Sequence, residues 1–264
     1  MKRGLWRLLT TLTVGAHIIT ATTPAQAETV KEWQFEITPY LLAAGMEGTV
    51  GVRGVSTDVD VSFGDIWDHL DAGFMGLFTA RKGPWMFGLE GVYMKLADAP
   101  SKSATGAFGQ VTVNGALDVT NALSIYQGSV GYRLRDDKTK LDIIGALRYT
   151  ELDVEADVEI ATTPPVEFLG GAASADGSAS WTDTVIGILV LHPVSDKVSL
   201  MGYADIGAGG SDLTYQLMGG ANWQFAKTFS AKAGYRYMDW DYENNGTVWD
   251  MAASGPYLGL GIQF

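Results

Sequence analysis

Apolar and polar residues alternate along most of this chain with a period of two, and no stretch sustains the 3.6-residue period of a helix. Over 213–225, Leu213, Tyr215, Leu217, Gly219, Ala221, Trp223 and Phe225 share one face of an extended strand, and Thr214, Gln216, Met218, Gly220, Asn222 and Gln224 share the other. Residues 198–207 set Leu200, Ala204 and Ile206 against Ser199, Tyr203 and Asp205, and 85–96 set Trp85, Phe87, Leu89 and Tyr93 against Glu90. The pattern predicts ten strands, at about 33–45, 72–82, 85–97, 117–134, 141–156, 181–193, 198–208, 213–226, 229–243 and 255–264. Turns at 81–84, 135–140, 195–197 and 226–228 are short; connections at 46–71, 98–116, 157–180 and 244–254 are longer, with a brief one at 209–212. Short turns alternating with longer loops on an even number of strands imply an all-β fold, an antiparallel up-and-down β-barrel that crosses a membrane. Residues 49–63 read as a further hairpin above the membrane. Counting it or 106–113 into the wall gives 12 strands, and merging weak strands gives 8.

Alternation alone does not separate a membrane barrel from a soluble sandwich or barrel, whose apolar face points inward. Aromatic spacing does. Trp85 and Tyr93 lie eight residues apart on one face, as do Tyr215 and Trp223. On a strand tilted by about 40°, eight residues rise roughly 20 Å, close to an apolar band of ~25 Å between aromatic girdles. In the final segment Pro256, Leu258, Leu260, Ile262 and Phe264 fall on one face, and Gly255, Tyr257, Gly259, Gly261 and Gln263 on the other. The spacing Tyr257-x-Gly259-x-x-Ile262-x-Phe264 resembles the C-terminal insertion signal of bacterial outer-membrane barrels. That resemblance implies the barrel-assembly machinery as a partner during insertion, and outer-membrane lipid and lipopolysaccharide as surroundings.

At the other end, Lys2, Arg3 and Arg7 precede an apolar stretch over about 8–21, and Ala25-Gln26-Ala27 matches a small-x-small cleavage pattern. Residues 1–27 are therefore expected to be a signal peptide and 28–264 the barrel domain. No later stretch approaches 18 continuous apolar residues. The full chain has 264 residues and a formal charge of −12; without residues 1–27 it has 237 and a charge of −15. Such an acid excess argues against nucleic acid as a partner. The absence of cysteine rules out disulfides, thiolate metal sites and cysteine nucleophiles.

If the aromatic face meets lipid, the opposite face lines the lumen. It carries Glu36, Glu90, Asp142 and Asp205 with Arg81, Arg133, Arg148, Lys232 and Arg236. A barrel of about ten strands has a narrow interior, and charges buried there must be paired. Two readings stay open: a network that plugs the lumen, or a narrow solute path with the network as its constriction. Glu90 and Arg236 are the leading network members, with no partner fixed by the sequence.

The stretches Trp33-Gln34-Phe35-Glu36-Ile37-Thr38-Pro39-Tyr40-Leu41, Asp60-Val61-Ser62-Phe63-Gly64-Asp65-Ile66, Ala204-Asp205-Ile206-Gly207, Gly234-Tyr235-Arg236-Tyr237 and Gly255-Pro256-Tyr257-Leu258-Gly259-Leu260 together resemble a widespread family of small Gram-negative outer-membrane β-barrel proteins, most of them described as hypothetical proteins. The resemblance implies the fold and an outer-membrane location. It carries no catalytic residue.

Other chemistry is sparse. After residues 1–27 the histidines are His69, in an acidic loop, and His192, near a periplasmic strand end, so a shared metal site is not expected. Asp183 and Asp205 have no histidine at their level, which argues against the acid–histidine cluster of omptin proteases. Gly207-Ala208-Gly209-Gly210 is a turn signal, with no helix after it to make a phosphate loop. Asp58, Asp60, Asp65, Asp68 and Asp71 form one acidic cluster, around a short helix expected near 65–70. Asp153, Glu155, Asp157 and Glu159 form another. Hard divalent ions take such ligands, but the spacing matches no calcium loop, and a solvated acidic surface is the expectation. The sequence thus predicts a non-enzymatic outer-membrane barrel without cofactor or metal. The alternatives are a narrow passive channel for small solutes and an outer-membrane enzyme of lipid or peptide hydrolysis; the oligomeric state is left open.

Overall fold

The computed structural model describes residues 32–52, 55–98, 101–105, 112–163 and 171–264. The expected signal peptide lies outside them, as does most of 106–113. In chain order the elements are β1 (Gln34–Leu42), β2 (Gly45–Val52), β3 (Val55–Val61), α1 (Phe63–Asp68), β4 (Leu70–Lys82), β5 (Trp85–Asp98), β6 (Ser101–Thr105), β7 (Thr112–Asp136), β8 (Lys140–Thr163), β9 (Gly171–Pro193), β10 (Val198–Gly209), β11 (Leu213–Gln224), β12 (Phe229–Asn244) and β13 (Thr247–Gln263).

Ten of these strands form a closed antiparallel ring in the order β1-β4-β5-β7-β8-β9-β10-β11-β12-β13. The seam is double: Ile37 of β1 sits opposite Phe78 of β4 on one side and Ile262 of β13 on the other. β2, β3 and β6 stand outside the ring. The β2–β3 hairpin adds to the outer half of β13, and β6 pairs with the outer part of β7. Residues 49–63 thus contain most of the extra hairpin expected there, and α1 is the short helix, capped by reciprocal hydrogen bonds between Ser62 and Asp65.

The predicted loops at 98–116, 157–180 and 244–254 are largely strand. β7, β8 and β9 run 23 to 25 residues, well past the membrane. β12 and β13 continue to a tight turn at Asn245 (φ 51°) and Gly246 (φ 80°), both left-handed as a two-residue hairpin demands. These extensions keep a period of two but lose the large outward apolar residues that marked the lipid-crossing segments.

Lipid sorts the two faces. Outward residues Leu41, Phe74, Leu89, Leu147, Ile186, Leu217, Leu258 and Phe264 are all more than half exposed. Rings gather at two levels. Near the periplasmic turns Trp85 meets Tyr132, Phe225 stacks on Phe229, and Phe35 stacks on Phe264 and Phe78. At the outer level Tyr126 stacks on Tyr149 and Tyr215 on Tyr237. Beyond that outer girdle the faces exchange roles. Outward residues become acidic (Glu151, Asp239, Asp241), and inward ones become the apolar cluster of Val92, Leu123, Ile125, Leu152, Trp181, Met238, Trp240 and Tyr242. Where water replaces lipid outside, the apolar side chains turn in. Trp181 and Tyr242 stack across this core at 4.1 Å. α1 buries one residue, Ile66, which lines the same cavity as Met46 and Met75 at the edge of this core, a burial worth about 2 kcal/mol.

Candidate functional site: the charged lumen

Every charged residue assigned to the lumen points inward, because the side chains of a strand alternate and the opposite face is held by lipid. They form two layers. At the periplasmic end Asp142 accepts from Arg81 Nη2 at 2.5 Å and from Arg133 Nε at 2.7 Å, and Arg133 also reaches Asp136 at 3.2 Å. Across the same end Glu36 accepts from Lys232 Nζ, from Thr38 Oγ1 and from Gln263 Nε2.

The second layer lies just below the outer girdle and crosses the lumen. Arg148 donates to Gln127 at 2.8 Å, to Thr214 at 3.1 Å and to Asp205 at 2.6 Å. Asp205 also accepts from Tyr203 at 2.6 Å and from Gln216 at 3.5 Å. Gln216 accepts in turn from Arg236 Nε at 2.7 Å, and Arg236 Nη1 donates to Glu90 at 2.8 Å and to Tyr40 at 2.9 Å. Tyr40 closes the chain by donating to Glu90 at 2.5 Å. The side chains of Arg148 and Asp205 have no solvent-exposed surface. Between the layers Tyr257 turns inward over Gly220 and Gly234, where any side chain would strike its hydroxyl.

The structure therefore gives Glu90 and Arg236 to each other, Asp205 to Arg148, Asp142 to Arg81 and Arg133, and Glu36 to Lys232. Sequence reasoning missed the neutral members that join the Arg148–Asp205 and Arg236–Glu90 pairs into one belt: Tyr40, Gln127, Tyr203, Thr214 and Gln216. Each stands at an inward position of its strand, and that parity is the signal that marks it. In the terminal motif Ile262 and Phe264 face lipid, whereas Tyr257 and Gly259 face the lumen; Gly259 leaves room for Thr38 and Tyr40.

The two histidines among the described residues sit at opposite ends. His69 caps α1, its Nδ1 2.7 Å from the carbonyl of Asp65, and His192 meets Thr139 Oγ1 at 2.8 Å at the periplasmic end. Asp183 accepts from the backbone N–H of Ser211 at 2.8 Å. No group of three or more histidine or acidic side chains is arranged to hold a metal ion among the described residues. In the first acidic cluster Asp65 is tied to Ser62, whose side-chain and backbone hydrogen bonds hold its carboxyl below the ordinary range, and Asp71 pairs with Lys95 at 3.4 Å. Asp157 and Glu159 of the second cluster have side chains outside the described ones.

Acid also crowds the outer wall above Tyr237. Partial burial, then the charges of Asp250, Asp212, Asp239 and Glu243, raise the carboxyl of Asp241 above its ordinary range. The folded state holds that proton more tightly than the unfolded chain, so ionisation costs stability as pH rises through the carboxylate range. Asp241→Asn is therefore expected to stabilise the protein at neutral pH. The gain should shrink on acidification or added salt in urea-unfolding curves, and a gain independent of both would refute the electrostatic cause.

No protein-family model matches the chain, and no curated protein sequence matches it. Solved structures do. The outer-membrane protease OmpT of Escherichia coli superposes with a TM-score of 0.53 at 8% identity, over 90% of this chain and 99% of that one. The translocator domain of the autotransporter NalP of Neisseria meningitidis gives 0.39 at 14% identity, over 87% and 88%. Neisserial surface protein A gives 0.28 at 13%, over 88% and 97%. At 8% identity the likeness to OmpT is one of fold alone. A closed antiparallel ring with a lipid-facing apolar band between aromatic girdles defines the class: this protein is an outer-membrane β-barrel.

Proposed function

We propose that the protein is a non-enzymatic, non-conducting outer-membrane barrel whose lumen is sealed by the Arg148–Asp205 and Arg236–Glu90 belt and whose work is done at its outer end. The single observation behind this reading is the complete burial of the Arg148 and Asp205 side chains in the lumen just below the outer girdle. Guanidiniums and carboxylates that line a water path keep solvent-exposed surface; these have none. The outer end supports the second half: its wall rises beyond the girdle around an apolar core, presenting acidic faces to the surroundings. Membership of the family of small outer-membrane barrels fits the same picture, with lipid and lipopolysaccharide around it and insertion by the barrel-assembly machinery.

Single-channel recording of the refolded barrel in a planar bilayer tests the reading. The wild type is expected to be silent, with insertion verified by heat-modifiable gel mobility. Glu90→Ala combined with Arg236→Ala removes both charges of one pair without stranding either, and is expected to admit intermittent openings. Steady openings of the wild type, enlarged by that double substitution, would instead establish the narrow channel with the belt as its constriction.

A further inference from the structure

The outer wall has a window. Along one edge of the β1–β2 line, residues up to Pro39 pair with β4, the last pair being Pro39 with Gly76, and pairing resumes with β3 at Met46 opposite Val61. Residues 40–45 meet no strand on that edge among the described residues. β4 leaves the line at the same height, and its residues 70–75 pair with β5 alone. α1 runs across the top of the gap, from the end of β3 to the start of β4.

Behind the window lies a cavity of about 50 Å³ lined by Leu42, Met46, Ile66, Met75, Met94 and Met238. Arg236, already paired with Glu90, lies at its floor. Unbranched thioether side chains reshape around whatever enters. The rim belongs to the lipid face: Leu41 and Phe74, on either side, are 64% and 65% exposed. Above them Trp67 of α1 is 56% exposed, its ring 5.8 Å from that of Phe63, an aromatic pair of the kind that sits at the lipid–water boundary.

We infer that this window is a lateral port for a linear acyl chain of a membrane amphiphile, stoppered by Ile66. The commitment to an acyl chain rests on three features: the lower rim, Leu41 and Phe74, belongs to the lipid-facing surface, the lining is aliphatic and thioether apart from Trp240 and the floor residue Arg236, and the upper rim carries the boundary aromatics Phe63 and Trp67. The cavity holds about one or two water-sized groups as it stands, so an entering chain takes the place of the Ile66 side chain. α1 is suited to yield, because Ile66 is its one buried residue. The port does not depend on whether the lumen conducts, so recording and labelling stand or fall separately.

The test is photolabelling of the full barrel in liposomes with a long-chain fatty acid carrying a terminal diazirine, adducts being mapped by peptide mass spectrometry. Wild type is expected to carry adducts on Met46, Met75, Met94 or Met238, above a background on lipid-facing residues such as Leu258. Ile66→Ala should raise the interior adducts several-fold, and Ala253→Leu, which fills the cavity, should return them to background with the lipid-face adducts unchanged. Heat-modifiable mobility verifies that each variant is folded. Adducts confined to the lipid face in both wild type and Ile66→Ala would overturn the port, as would interior adducts indifferent to Ile66→Ala.

Discussion

Replacing Arg148 with alanine is expected to cost the folded barrel about 3–5 kcal/mol, because it strands Asp205 in the lumen without its counter-charge. The Asp205 side chain is fully buried, and its remaining donors, Tyr203 and Gln216, are neutral. The loss should appear as a fall in the urea midpoint of the refolded protein, followed by tryptophan fluorescence in lipid vesicles. Adding Asp205→Asn is expected to recover most of it, since removing both charges leaves little penalty even though the attraction is gone. That reversal separates a stranded charge from lost packing; a double variant as unstable as the single would mean that the Arg148 side chain matters chiefly as filler. A belt of buried charges is thus a poor source of net stability but a strong constraint on which strand levels face one another, since any slip of register unpairs it.

The lumen face was legible in the sequence because lipid imposes strict alternation. Trp85, Phe87 and Leu89 point to the membrane, so Glu90 must point in, and the same logic placed Arg148, Asp205 and Arg236. Partnership was not legible. Arg236 and Tyr40 are 196 residues apart, and Arg148 and Asp205 are 57 apart; ring closure and strand tilt bring them to one level, and neither is written in any local pattern. The extramembrane wall was read as loop because its environment inverts the rule. Above the girdle Val92, Met94, Met238 and Trp240 are inward and the outer face is acidic, so the lipid signature stops while the strand continues. Asn245-Gly246 was the local clue to that continuation.

Glycine supplies the second large effect, at the seam of the ring. β13 changes partner there: its inner half pairs with β1 up to Leu42 opposite Tyr257, and its outer half pairs with β2 from Gly45 opposite Ser254. The chain passes from one to the other through Ala43 and Ala44, whose backbone crosses so close to Gly255 that a β-carbon placed there would collide with the carbonyl of Ala43. The Ala43 N–H donates to the Pro256 carbonyl at 2.8 Å, which pins the crossing in place. The obstacle is backbone on both sides, so no rotamer change relieves it. Gly255→Val is expected to cost about 3 kcal/mol, the upper end for overpacking, and to slow or abolish the heat-modifiable band, because the clash lies where the ring must close. Gly219→Ala is the matched control. Gly219 lies on the lipid face of β11, with nothing near the place of a β-carbon, and reducing the freedom of the unfolded chain should make that change neutral or stabilising by up to about 1 kcal/mol. Equal losses from the two would mean that glycine serves general strand flexibility in this barrel; a loss confined to Gly255 would locate it in the crossing that lets one strand line seal the ring below and carry the hairpin above.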